Sequence, residues 1–102
     1  MINIVEKNIP EVARLCREHK VKRLEIFGSA VGGEFKEPDS DLDFLVEFLP
    51  LDPGEHSEVY FGLLEALEEL FGCHVDLVML VAVKNPYFLE AIDKTRKVIY
   101  AA

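Results

Sequence analysis

A chain of 102 residues with a formal net charge of −8 has room for one domain, residues 1–102, and one modest core. Half of its residues are hydrophobic, which excludes disorder, and the acidic balance argues against a general nucleic-acid binder. No apolar run approaches the roughly 20 residues of a membrane span, Met1 to Lys7 carries no apolar signal-peptide core, and the sequence reads as a soluble cytoplasmic protein.

Residues 9–19 have the spacing of a helix. Pro10 suits its first turn, where no backbone donor is needed, and Ile9, Val12 or Ala13, and Cys16 share one face. Arg14, Arg17, Lys20, Lys22 and Arg23 are five of the 11 basic residues. A solvated face is the preferred reading of them, ahead of an anion- or partner-binding patch. Residues 22–27 read as a strand that ends at Gly28. Residues 42–48 form a nearly continuous apolar run, the mark of a strand covered on both faces. Pro50-Leu51-Asp52-Pro53-Gly54 is a turn cluster. Residues 58–71 form an amphipathic helix, with Tyr60, Leu63, Leu64, Leu67, Leu70 and Phe71 on one side and Gly72 as its C-cap. Residues 75–83 predict another buried strand. Asn85-Pro86 caps a helix running to about residue 96, and Val98-Ile99-Tyr100 predicts a short strand or an extended tail. Cys16 and Cys73 are too isolated for a disulfide framework or a zinc site and read as two small buried thiols. Phe61 and Tyr87 are assigned to core packing rather than to an interface. The element order predicts an α/β or α+β domain, a mixed β-sheet flanked by helices.

Three short stretches carry the chemistry. Ile26-Phe27-Gly28-Ser29 delivers a strand into a Gly-Ser turn. Asp41-Leu42-Asp43 places two carboxylates on one face of a strand, because strand side chains alternate with period two. Val75-Asp76-Leu77-Val78 embeds a third carboxylate in an apolar strand, where a charge is costly unless paired or bound to metal. If the two strands are neighbours, Asp41, Asp43 and Asp76 can converge on two metal ions, with magnesium shared with substrate phosphates removing their repulsion. Gly28 permits a sharp turn close to a phosphate, and Ser29 offers a hydroxyl and a backbone N–H. Taken singly, each stretch is an ordinary turn or a surface residue. Jointly, on successive strands, they point to a nucleoside triphosphate. Two rival motifs fail. Gly28 and Gly33 have P-loop spacing, but Glu34-Phe35 replaces the required Lys-Ser/Thr. Asp39, Asp41 and Asp43 mimic half an EF-hand loop, but Phe44 replaces its glycine and Pro50 its final glutamate.

Phe27-Gly28-Ser29, Asp39-Ser40-Asp41-Leu42-Asp43 and Val75-Asp76-Leu77-Val78 together resemble the minimal nucleotidyltransferases of the DNA polymerase beta-like superfamily, over almost the whole chain. The resemblance implies the nucleotidyltransferase fold. It implies that Gly28 and Ser29 hold triphosphate, that Asp41 and Asp43 bind Mg2+, and that Asp76 completes the metal site and helps activate the acceptor. The implied reaction moves AMP from ATP to a hydroxyl. Small members of the family pair with a helical HEPN-type toxin and act as its antitoxin, in some cases by adenylylating a toxin tyrosine. Two departures stand out. The loop between Ser29 and Asp41 is one residue longer than usual. Val31-Gly32-Gly33 also occupies the place of a common arginine, for which Lys36 is a candidate substitute. A protein that neutralises its partner by contact, with weak or no catalysis, stays open as the alternative reading. A resistance enzyme acting on a small molecule ranks last. The acceptor, the nucleotide preference and homo-oligomerisation stay open.

Overall fold

Apolar residues three and four apart wind amphipathic helices, and apolar runs bounded by glycine and proline extend as strands. The computed structural model, described here for residues 3–28 and 41–102, follows that grammar. Two helices, α1 (Asn3–Lys7) and α2 (Ile9–Glu18), lead into strand β1 (Val21–Phe27). Strand β2 (Leu42–Phe48) is followed by helix α3 (His56–Phe71) and strand β3 (Val75–Met79). A 3-10 turn at Leu80–Ala82, helix α4 (Pro86–Asp93) and strand β4 (Lys97–Ala101) complete the order. The four strands form one mixed sheet in the order β3-β2-β1-β4. β1 is antiparallel to β2 and to β4, whereas β2 and β3 run parallel through the α3 crossover.

Both faces of the sheet are covered, as the nearly continuous apolar run of β2 predicts. Leu24, Ile26, Phe44 and Val46 pack with Val12 and Cys16 of α2 and with Leu63, Leu67 and Phe71 of α3. On the opposite face Phe27 and Leu45 meet Ile92 of α4. Burying each such side chain contributes about 1.5–3 kcal/mol of transfer free energy. The predicted caps are in place. Gly72 takes the left-handed conformation at φ 67 and donates its N–H to the Glu68 carbonyl. Asn85 accepts the Tyr87 N–H through its side chain.

Several expectations are corrected. β3 stops at Met79, where its pairing with Val46 of β2 ends, instead of running to residue 83. Leu80–Ala82 turns instead, and the Val83 N–H bonds the Leu80 carbonyl. An apolar run alone does not show where a strand gives way to a helical turn. α4 ends at Asp93, because the Thr95 and Arg96 N–H groups both fold back onto the Ile92 carbonyl. The final segment is a true edge strand paired with β1. α1 was not anticipated; it seats the fully buried Val5 in the core. Phe61 and Tyr87 are exposed, at 58% and 80% of their surface, and are not core residues. The basic residues of α2 and β1 behave as a solvated face. Arg14 pairs with Glu11 and Glu18, Lys20 with Glu55, and Lys22 with Glu47. Of the two thiols, Cys16 is buried and Cys73 is partly exposed.

Candidate functional site

The site follows from the register of the parallel pair. β2 and β3 set Leu42 beside Val75 and Asp43 directly beside Asp76. The Leu42 N–H donates to the His74 carbonyl at 3.1 Å, which carries the same register one step back and puts Asp41 beside His74. Period-two alternation then points all four side chains, Asp41, Asp43, His74 and Asp76, to one face of the sheet. The His74 Nδ1 lies 3.2 Å from Asp41 Oδ2 and 3.8 Å from Asp76 Oδ1. Asp41, His74 and Asp76 present donor atoms that all lie within 4.8 Å of one another.

Asp76 was expected to be buried and is exposed. It lies on an edge strand whose burial alternates, so its charge meets water instead of apolar neighbours. Asp43 carries the electrostatic tension. Partial burial is the main cause that raises its carboxyl from 3.8 to about 6; repulsion by Asp76, a hydrogen bond to Asp76 and repulsion by Asp41 add to it, while His74 opposes. Among the described residues, no lysine or arginine forms an ion pair with these three carboxylates. An oxygen-rich donor set short of counter-charge fits a divalent cation.

Gly28 ends β1 beside this face at φ 80. A Cβ there would stand 2.6 Å from Asp43 Oδ2, so glycine gives the carboxylate its room. The Gly28 N–H donates to Thr95 Oγ1 at 3.1 Å, just beyond α4. Gly28 therefore contributes space and a turn, while its N–H is engaged within the protein. Ser29 and the loop of residues 30–40, with Val31-Gly32-Gly33, Lys36 and Asp39, lie outside the described residues.

A cleft of about 400 Å³ opens next to the carboxylates, lined by Phe27, Asp43, Tyr60, His74, Asp76 and Phe88 among others. Its mixed aromatic and acidic lining suits a planar base or ring joined to a charged group. The Tyr60 hydroxyl donates to the Leu77 carbonyl and ties α3 to β3 along one wall. Sequence reasoning missed His74 and Thr95. For His74 the signal was present, since His74-Val75-Asp76 repeats the spacing of Asp41-Leu42-Asp43. For Thr95 there was none, because its contact with Gly28 spans most of the chain.

Residues 11–100 match the family model for the nucleotidyltransferase domain. A protein of Methanocaldococcus jannaschii, provisionally named as a protein adenylyltransferase, is 35% identical over 96 residues, covering 86% of this chain and 94% of its own. A solved structure provisionally named as a minimal nucleotidyltransferase superposes with a TM-score of 0.74 at 32% identity, covering 94% of this chain and 95% of that one. A structure of a tri-AMPylated Shewanella oneidensis HEPN toxin in complex with an MNT antitoxin superposes with a TM-score of 0.58 at 22% identity, covering 95% and 72%. This last likeness shows the shared fold.

Proposed function

Because the chain belongs to the nucleotidyltransferase domain family, we propose that it transfers AMP from ATP, with Mg2+, to a hydroxyl of a helical HEPN-type partner protein and so acts as an antitoxin in the cytoplasm. One observation carries the reading: Asp43 and Asp76 are direct neighbours across β2 and β3, with Asp41 one step away. Asp41 and Asp43 would hold Mg2+, with Asp76 completing the set. The bound ion supplies counter-charge to the triphosphate. Gly28 leaves the turn open beside Asp43, and Ser29 is assigned to the phosphates. The acceptor oxygen attacks the α-phosphorus while the bond from that phosphorus to the bridging oxygen breaks, and pyrophosphate leaves. Asp76 takes the hydroxyl proton. The chain's contribution is chiefly position and charge, as in phosphoryl transfer generally. The relative named as a protein adenylyltransferase and the AMPylated HEPN toxin complex support a protein acceptor.

The test is incubation with labelled ATP, Mg2+ and the HEPN-type partner, followed by mass spectrometry of both chains. The partner should gain AMP. Asp43→Asn and Asp76→Asn should each lower the rate at least about a hundredfold, the scale of losing metal-borne charge stabilisation, with an unchanged circular dichroism spectrum. Wild-type rates in either variant would sink the assignment. A second reading, neutralisation by contact alone, draws on the exposed Phe61 and Tyr87. It predicts tight partner binding with no calorimetric signal for ATP and Mg2+.

A further inference from the structure

We propose that His74 is a nitrogen donor of the cation site and that it tilts the site toward divalent ions that accept imidazole, such as Co2+ and Zn2+, relative to Mg2+. The inference rests on the nucleotidyltransferase reading and deepens it. Its ground is the way the backbone fixes His74. The hydrogen bond from the Leu42 N–H to the His74 carbonyl locks this residue into the β2-β3 register. From there the ring nitrogen Nδ1 reaches carboxylates on two different strands, Asp41 at 3.2 Å and Asp76 at 3.8 Å. A surface ion pair needs only one carboxylate and contributes little. A ring held between two, with all three donor atoms within 4.8 Å, has the composition of a ligand set. His74 is also 60% exposed on its side chain, so no packing constraint explains its orientation.

The chemistry of the donors sets the preference. Carboxylate oxygens alone suit Mg2+, which is reluctant to take nitrogen. Adding one neutral imidazole favours the later divalent metals. Asp41-Leu42-Asp43 and His74-Val75-Asp76 thus form matched pairs, one all-oxygen and one mixed, on adjacent strands.

Calorimetric titration of Co2+ and of Mg2+ into metal-free protein tests this without reference to turnover. His74→Ala should weaken Co2+ binding by about tenfold or more, within the range known for residues that orient or tune metal ligands, and Mg2+ binding by less than about threefold. His74→Asp, which sets an oxygen donor at the same place, should keep Mg2+ binding and still lose the Co2+ preference. In protein labelled with nitrogen-15 at histidine, the His74 ring signal should shift on addition of Zn2+. Unchanged Co2+ affinity in His74→Ala, or equal losses for both ions, overturns the role of His74 while leaving the carboxylate site standing. Absence of binding of either ion by the wild type overturns both this inference and the metal-dependent reading beneath it.

Discussion

Asp43 sits half-buried against Asp76, and its raised carboxyl shows what the fold gives up to keep it there. In the metal-free protein Asp43→Asn should be stabilising, because an amide bears no charge and can donate to Asp76. After discounting for solvent screening the gain is about 1 kcal/mol, or roughly 4–8 °C in Tm for a domain of this size. The sign in pH follows from the folded pKa, about 6, lying above the ordinary value of 3.8. The folded chain keeps a proton that the unfolded chain releases. The wild type therefore loses stability as pH rises through this window. The advantage of Asp43→Asn should be largest above pH 6 and fade toward pH 4. Thermal denaturation in a chelator across that range is the measurement; a destabilised variant would contradict the account. The pairing of Asp41 with Asp43 was legible in the sequence, because period two is intrinsic to a strand. The exposure of Asp76 was not, because its apolar neighbours read the same on a central strand and on an edge.

The turn between α4 and β4 governs the geometry of Gly28. Thr95 accepts the Gly28 N–H, and its own hydroxyl lies 3.4 Å from the Ile92 carbonyl. The next residue, Arg96, reaches Glu25, the buried acidic residue of β1, with its guanidinium at 2.8 Å. Two adjacent residues thus hold the end of β1 at two points, Gly28 and Glu25. Thr95→Val keeps the shape and removes the acceptor, so it should cost about 1 kcal/mol, the low end for a stranded donor that is only partly buried. It should also raise the KM for ATP more than it lowers kcat. Thr95→Ser should restore both. Equal behaviour of Val and Ser would show that the hydroxyl is idle. At this scale the body and end of α3 were legible, since six apolar residues at helical spacing and a terminal glycine agree, while its start falls at His56 instead of residue 58. The end of α4 was not, because no glycine or proline marks the place where the Thr95 and Arg96 N–H groups fold back onto the Ile92 carbonyl.

For the whole molecule, the sheet order and the parallel pair are what local pattern cannot supply. The alternation of helices and strands implied a mixed sheet, but the adjacency of β2 and β3 entered only as a condition for the carboxylates to meet. No helix among the described residues is long and apolar enough to cross a membrane. If magnesium binds at the proposed site, an ion concentration about 100 times its dissociation constant should add about 2.7 kcal/mol to stability. Tm should rise accordingly in the wild type and stay flat in a chain carrying both Asp41→Ala and Asp76→Ala. A rise of equal size in that double variant would place the ion elsewhere.

The α3 crossover has one more consequence. Asp41 and Asp43 open β2 and His74 and Asp76 open β3, so the donors stand at the two ends of one loop of chain that runs through β2 and the α3 crossover. In an unfolded chain they wander apart, and ion affinity exists only once the loop has shut. An ion held across them would act as a reversible clasp, binding the closed loop alone and drawing the equilibrium toward it. Cellular supply of the ion would then set how long the chain stays shut, as well as how fast it works.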